Sequence, residues 1–169
     1  MGDKMIADEL CVNESTTFQP KKITSKMTVY FDGFSNGISD RAMYEYRSFL
    51  ANKMSHAFYP LPRNVNTLSF IATPRNCHDN VDEYCLINPS NKKVEGWFCI
   101  QYKNTFTTTF ASHSIILLES GEHIDITPTS VTHLSKFLKS FLFSNDYKNL
   151  IQYLYDINGQ TTMSIKTPD

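Results

Sequence analysis

The segment "HSIILLESGEHIDITP", residues 113–128, limits the possible folds most strongly, because two apolar runs flank a glycine. This pattern predicts two antiparallel strands joined by a tight turn. If residues 119–121 form a three-residue loop with Gly121 in the left-handed conformation, Leu118 pairs with Glu122. The turn therefore predicts one register for the whole hairpin.

That register decides which side chains share a face of the sheet. Ile115 pairs with Asp125 and His113 with Thr127, and alternation along a strand puts His113 and Asp125 on the same face. Their backbones would lie roughly 7–8 Å apart, so their side chains can meet. A two-residue loop would move Asp125 to the opposite face. The opposite face is the apolar one and carries Ile116, Leu118, Ile124 and Ile126 beside Ser114.

The segment "TPRNCHDNVDEYC", residues 73–85, predicts a helix that begins at Cys77. Pro74 disfavours helix before it, and Asn76 is a good N-cap. A thiol at a helix start is stabilised as a thiolate by unpaired N–H groups and by the positive end of the helix dipole. Cys77 is therefore interpreted either as a nucleophile or as a small buried hydrophobic residue. The rest of the helix is expected to turn Val81, Tyr84 and Cys85 toward the core, which would make Cys85 structural.

A cysteine nucleophile needs a base, and the adjacent His78 points about 100° away on a helix. His113 is the favoured base, with Asp125 accepting one ring N–H and leaving the other nitrogen for the thiol. A half-buried strand histidine and a turn-flanking acid remain equally good interpretations of each residue alone. The joint occurrence of Cys77, His113 and Asp125 favours a catalytic triad.

Three further residues have a structural and a functional interpretation. Asn80 lies one helical turn after Cys77, where its amide would bond a loop or line the site, and the structural role is favoured. His78 is expected to face solvent or to support the site from behind. Trp97, the only tryptophan, follows Gly96 at a strand start, and a core anchor is favoured over a substrate platform.

Size and composition predict a single domain, since the 169 residues are 41% hydrophobic and 20% charged. We expect residues 1–26 to be a flexible lead-in, with a targeting leader as the alternative, and residues 27–169 to form one α+β domain.

The predicted elements follow the chain in a simple order. A helix runs from the N-cap Ser39 to just before Pro60, and short strands are expected at 26–34 and 66–74. Residues 93–104 and 105–128 predict antiparallel strands. Two C-terminal helices follow, one over the apolar stripe 134–141 and one ending at Asn158-Gly159.

Charge and cysteine spacing exclude several classes of protein. A net charge of −1 without a basic run argues against nucleic acid as a partner. No apolar stretch reaches the roughly 20 residues that span a bilayer, and the first residues lack a signal peptide's pattern, so we expect a protein made in the cytosol. The four cysteines form no CxxC pair, which predicts free thiols and no cofactor or metal. A zinc site is a disfavoured alternative that would use Cys77, His78, His113 and either His123 or Cys85.

The motifs "CHDNV", "EGW" and "SHSIILLESGEHIDITP" resemble the papain-like superfamily in its broad sense, which includes the NlpC/P60 and transglutaminase-like branches. They are most similar to short bacterial and phage proteins with a CHxN, GW, H and DxTP pattern, over about residues 73–128. The resemblance implies a papain-like α+β fold, with N-terminal helices that place the nucleophile at a helix start against a small antiparallel sheet. It also implies Cys77 as nucleophile, His113 as base and Asp125 as the orienting acid. The chain departs from papain itself in lacking an oxyanion-hole glutamine before Cys77 and a large cleft-forming domain.

Two classes of function follow. The first is a thiol hydrolase or acyl-transfer enzyme that acts on an amide of a protein or peptide: a glutamine deamidase, a protease or a transglutaminase-like enzyme. Such an enzyme would work in the cytoplasm or, as a bacterial effector, after delivery to another cell by a secretion machine. The second is a non-enzymatic interaction protein, such as an immunity protein, an inhibitor or a phage antagonist, that binds through its 12 Phe and 9 Tyr. The oligomeric state is left open.

Overall fold

The computed structural model describes residues 38–67, 69–102, 106–128 and 135–166. The expected lead-in 1–26 and the strand predicted at 26–34 lie outside these ranges. Within them the chain forms an α+β fold, as predicted, with three α-helices: α1 (Asp40–Asn52), α2 (Cys77–Ile87) and α3 (Ser144–Asn158). Six strands complete it: β1 (Leu61–Pro62), β2 (Lys92–Tyr102), β3 (Thr107–Leu117), β4 (His123–Asp125), β5 (Lys136–Lys139) and β6 (Thr162–Lys166).

One sheet contains all six strands, in the order β1-β4-β3-β2-β5, with β6 also paired to β3. β2 and β3 form its centre and pair antiparallel along their whole length, from Lys92 opposite Leu117 to Tyr102 opposite Thr107. β1 runs parallel to β4. The sheet is therefore mixed, and the expectation of a purely antiparallel sheet was wrong because β1 reaches β4 by a long connection through α2 and the central hairpin.

The second edge of β3 is shared by two strands. β6 pairs with the first half of β3, from Thr107 to Ala111. β4 pairs with its last two residues, Ile116 and Leu117. Residues 112–115 of β3 lie between these two ladders and pair with neither strand in them. The Ser112 amide donates a 3.0 Å hydrogen bond to the Thr161 carbonyl, just before β6.

All three helices pack on the same face of the sheet. Tyr46 of α1 and Leu150 of α3 share one hydrophobic cluster with Trp97 of β2, whereas Val81 of α2 joins a neighbouring cluster with Ile116 of β3. Because Trp97 pairs with Ser112, alternation puts Trp97 and Ile116 on one face of the sheet. The other face carries a third cluster made of Val94, Phe98, Ile115 and Phe137, with Phe58 packed against it.

Helix α1 confirms the prediction made from its N-cap. The Ser39 hydroxyl accepts a 3.2 Å hydrogen bond from the Ala42 amide, which satisfies one of the unpaired N–H groups of the first turn. The helix buries Met43, Tyr46 and Leu50. Its predicted end just before Pro60 was wrong, because the helix ends at Asn52, a short 3-10 turn follows at Met54–His56 and Ala57 is already extended. Among the described residues no helix combines the length and apolarity that crossing a bilayer requires.

The hairpin between β3 and β4 has the predicted register. The Leu118 amide donates to the Glu122 carbonyl at 2.9 Å, and Ile116 pairs with Ile124. Gly121 has a φ of 87°, the positive value that the three-residue loop requires. The predicted apolar face is also confirmed, since Ile116, Ile124 and Ile126 lie in the cluster covered by α2.

The first of the two predicted C-terminal helices, over 134–141, was wrong: this segment contains strand β5, Lys136–Lys139. Phe137 belongs to the cluster on the face opposite the helices, and Leu138 belongs to the cluster under α1 and α3. Adjacent apolar residues buried on opposite sides are typical of a strand with two covered faces, and a short run of this kind cannot be distinguished from a helix by periodicity.

The second C-terminal helix is confirmed as α3. It ends where predicted, at Asn158, and Gly159 caps it with a φ of 64° and a 2.7 Å hydrogen bond from its amide to the Tyr155 carbonyl. Strand β6 follows at once and was not predicted.

The strand predicted over 66–74 was wrong as well, although Phe70 and Ala72 are buried. The Asn66 side chain accepts from the Ala72 amide at 3.0 Å, and the Thr67 amide donates to the Phe70 carbonyl at 2.8 Å. Local bonds of this kind compete with ladder pairing, so the segment folds back on itself as a loop.

We predict that Gly121→Val destabilises the protein by about 1–3 kcal/mol, because a β-branched residue is strained at positive φ. Asn tolerates this conformation, so Gly121→Asn is the matched control and should cost much less. Space does not decide the result, since a Cβ at this position meets nothing within 4 Å. Urea unfolding of both variants measures the difference. Equal stabilities would contradict the assigned turn.

Candidate active site

The turn that leads into α2 is closed by Asn80. Its side-chain oxygen accepts from the Thr73 amide at 2.9 Å, and its side-chain nitrogen donates to the Thr73 carbonyl at 2.8 Å. Asn80 is 3% exposed, and Arg75 within the turn adopts a φ of 64°. Asn80 therefore fixes the turn from inside the helix, which is the structural role that was favoured for it.

Cys77 is the first residue of α2, as predicted. Asn76 occupies the N-cap position, but its side chain makes no capping hydrogen bond, so it does not compete for the first N–H groups of the helix. The Cys77 sulfur lies 4.0 Å from the carbonyl oxygen of Ser112. The helix start thus meets β3 in the stretch between the β6 and β4 ladders.

His113 and Asp125 meet as the hairpin register predicted. The Nε2 of His113 lies 3.1 Å from the Oδ1 of Asp125, and both residues are buried, at 5% and 3% exposure. Asp125 Oδ1 also accepts a 3.0 Å hydrogen bond from the Thr127 amide, which fixes the carboxylate. The His113 ring stacks on Phe98 with centroids 4.0 Å apart. With Nε2 held by Asp125, Nδ1 is the nitrogen left for the thiol.

The surroundings of Cys77 and His113 favour their charged forms. Burial opposes ionisation of the Cys77 thiol, but hydrogen bonds and charge from His113 and His78 outweigh it and lower its pKa from 9.0 to about 5. Burial likewise opposes protonation of His113, but Asp125 and Cys77 outweigh it and raise the pKa of the imidazole from 6.5 to about 9. The two groups therefore form a thiolate–imidazolium pair.

The other described cysteines lack such surroundings. Burial raises the pKa of Cys99 to about 12, and burial together with the charge of Asp82 raises the pKa of Cys85. Cys85 also packs against the cluster under α2 with Val81 and Tyr84, as predicted for a structural residue. Cys77 is the only one of the three whose thiol is activated by its neighbours.

Tyr147 of α3 is a site residue that the sequence did not reveal. Its hydroxyl donates to the Gly96 carbonyl and accepts a 3.2 Å hydrogen bond from the His113 amide. The prediction placed Tyr147 only in an apolar helix stripe, and no local signal indicates that its hydroxyl reaches the backbone of His113. Tyr147 therefore connects α3 to the strand that carries the imidazole.

Trp97 lies in the core and does not line the site. It has no exposed surface, and its indole N–H donates to the Tyr46 hydroxyl at 3.2 Å. Its ring packs edge-on against Tyr147, with ring centroids 5.2 Å apart. The core-anchor interpretation fits this placement and the substrate-platform interpretation does not.

His78 is not solvent-facing. Its Nδ1 lies 2.7 Å from the Ser114 hydroxyl and its Nε2 lies 3.5 Å from the Ser112 hydroxyl. It is partly buried between β3 and the Tyr147 ring, 6.1 Å away. The helix-wheel argument gave its direction relative to Cys77 but not the strand that it meets.

The fourth ligand of the zinc alternative does not join Cys77, His78 and His113. His123 packs at a tilt against the Phe58 ring, with centroids 4.7 Å apart, and Cys85 packs in the cluster under α2. Across the described ranges no group of three or more His, Cys, Asp or Glu side chains is arranged to hold a metal ion.

We predict that Cys77 reacts with iodoacetamide over a wide pH range. Its lowered pKa makes it a thiolate above about pH 5, and the raised pKa of His113 keeps the imidazole protonated up to about pH 9, so the ion pair exists between these limits. Peptide-resolved labelling should rise near pH 5 for Cys77 and only in alkaline solution for Cys85 and Cys99. A first rise of Cys77 labelling near pH 9 would contradict the ion pair.

No protein-family model, curated protein or solved structure matches the chain. The resemblance to the papain-like superfamily therefore depends on the motifs around Cys77, His113 and Asp125. The function is inferred from the geometry of these residues.

Proposed function

We propose that the protein is a thiol-dependent enzyme that transfers the acyl group of an amide through a Cys77-His113-Asp125 triad. The observation that carries the proposal is the 3.1 Å contact between His113 Nε2 and Asp125 Oδ1, behind a helix-start cysteine whose pKa is lowered to about 5. A reactive thiolate, an imidazole and a buried carboxylate in this order perform covalent catalysis. The papain-like fold is part of the same proposal.

In the first half of the reaction, the Cys77 thiolate attacks the amide carbonyl carbon, and the electron pair of the C=O bond moves to oxygen. The oxyanion accepts hydrogen bonds from N–H groups at the start of α2, which the Asn76 side chain leaves uncapped. His113 then donates its Nδ1 proton to the departing nitrogen as the C–N bond breaks. An amine or ammonia leaves, and a thioester on Cys77 remains.

In the second half, neutral His113 takes a proton from the incoming nucleophile as that nucleophile attacks the thioester. Water as nucleophile gives a carboxylic acid, and an amine gives a new amide. The C–S bond breaks, and the Cys77 thiolate and the His113 imidazolium are restored. Throughout the reaction Asp125 accepts a hydrogen bond from the Nε2–H of His113 and so holds the ring in position.

The substrate approaches from the side of the turn before α2. His113 and Asp125 are buried, whereas Cys77 is partly exposed and residues 73–76 of the turn are exposed. The acyl group, a glutamine side chain or a chain segment in extended form, therefore reaches the sulfur from this exposed side. Protein or peptide amides are the proposed substrate class.

We predict that Cys77→Ala and His113→Ala abolish turnover while the protein still folds. Asp125→Asn should keep the shape, lose the charge and lower turnover by a factor on the order of 10². Cys85→Ser is the matched control, since Cys85 lies on the core side of the same helix, and it should stay active. Circular dichroism of each variant separates loss of chemistry from loss of fold.

The products identify the reaction. Ammonia release from glutamine-containing peptides indicates a deamidase, new peptide amino groups indicate a protease, and incorporation of a fluorescent amine indicates acyl transfer. Near-wild-type turnover in Asp125→Asn would refute the triad. Slow labelling of Cys77 near neutral pH, together with no product in any of the three assays, would favour the interaction-protein alternative.

A further inference from the structure

His78 occupies the side of Cys77 opposite to His113. Side chains alternate along β3, so Ser112 and Ser114 point to the face covered by the helices and His113 points to the other face. The His78 ring lies against the two serines, at 2.7 Å from the Ser114 hydroxyl and 3.5 Å from the Ser112 hydroxyl. Cys77 therefore lies between two imidazoles that reach it from different faces of the sheet.

The serines restrict which nitrogen of His78 serves the thiol. Nδ1 is engaged by Ser114, which has no exposed surface. Nε2 and the Cys77 sulfur both lie near Ser112, the nitrogen 3.5 Å from its hydroxyl and the sulfur 4.0 Å from its carbonyl oxygen. The Cys77 thiol is hydrogen-bonded to His78. When the Ser114 hydroxyl donates to Nδ1, the ring N–H that serves this bond is on Nε2.

A chain of hydroxyls extends this arrangement across the sheet edge. The Ser112 hydroxyl donates to the Thr161 hydroxyl at 2.7 Å, just before β6. Because the Ser112 proton is engaged by Thr161, Ser112 does not donate to Nε2 of His78. The ring of His78 is also held edge-on by Tyr147 at 6.1 Å. Packing and hydrogen bonds together fix the ring.

We propose that His78 is a positioning residue that donates a hydrogen bond to the Cys77 thiolate, with its tautomer set by Ser114. This inference rests on the proposed function of Cys77. His113 exchanges a proton with the substrate, whereas His78 holds the sulfur in place and stabilises its charge through both halves of the reaction.

Other groups around Cys77 do not replace His78 in this role. His113 faces the thiol from β3, and Asp125 acts on it through His113. Tyr147 reaches the same region from α3, but burial raises the pKa of its phenol well above 10, and its hydroxyl is used by the backbone of Gly96 and His113. Of the two described side chains that hydrogen-bond the Cys77 thiol, His78 is the one on the helix-covered face.

The test is the pH dependence of Cys77 alkylation by iodoacetamide, read peptide by peptide in the full chain. In His78→Ala the midpoint should rise by about one pH unit, a tenfold loss of thiolate at a given acidic pH. Ser114→Ala should move it in the same direction by less. His78→Gln keeps an N–H donor, so its midpoint should lie between those of the wild type and His78→Ala. The control His56→Ala removes an exposed histidine on the turn after α1 and should change nothing.

The outcomes separate this inference from the proposed function. A wild-type midpoint near pH 9 overturns both, because the thiol would then be unperturbed. A low wild-type midpoint that stays unchanged in His78→Ala overturns only the role of His78. If His78→Ala fails to fold, Ser114→Ala decides, and an unchanged midpoint in that variant overturns the inference.

Discussion

The antiparallel ladder between β2 and β3 is the interaction on which the rest of the structure depends. It pairs the two strands from end to end, and β4, β5 and β6 each attach to one of them. Gly96 at its middle has no room for a side chain, since a Cβ there would overlap the Leu138 carbonyl and lie 2.6 Å from Cζ of the Phe137 ring. The absence of a side chain lets β5 pack closely against β2 at Gly96, which pairs with Lys139 of β5 on one side and with His113 of β3 on the other.

The candidate site lies where this ladder is least covered by other strands. β6 and β4 share the outer edge of β3, and the start of α2 meets the interval between them. Such an arrangement brings a helix terminus and a strand side chain together without a loop between them. The reactive groups are therefore held by regular secondary structure, which gives more precise geometry than loops do.

Local rules predicted the parts of the site that depend on local chemistry. The φ of Gly121 fixed the hairpin register, and alternation then placed His113 beside Asp125. The helix start at Cys77 followed from Pro74 and the N-cap Asn76. The hairpin register and the helix start each depend on residues that are close together in the chain, so a single sequence contains enough information to predict them.

Long-range pairing was not predictable in the same way. β5 was taken for a helix because Phe137 and Leu138 face two different clusters, and nothing near them in sequence reveals a second covered face. The hydroxyl of Tyr147 and the serines that hold His78 depend on how α3 and α2 are placed over β3. Those contacts arise only when distant segments pack, and the sequence pattern of each segment is compatible with several partners.

The turn before α2 holds a backbone conformation that its sequence disfavours. Arg75 has a φ of 64°, a region in which a side chain other than that of glycine costs on the order of 1–3 kcal/mol. Asn80 lies in the following helix, and the two hydrogen bonds between its side chain and the Thr73 backbone offset that cost. Cys77, the proposed nucleophile, thus follows a strained turn, and the amide side chain of one buried asparagine holds that turn in its strained conformation.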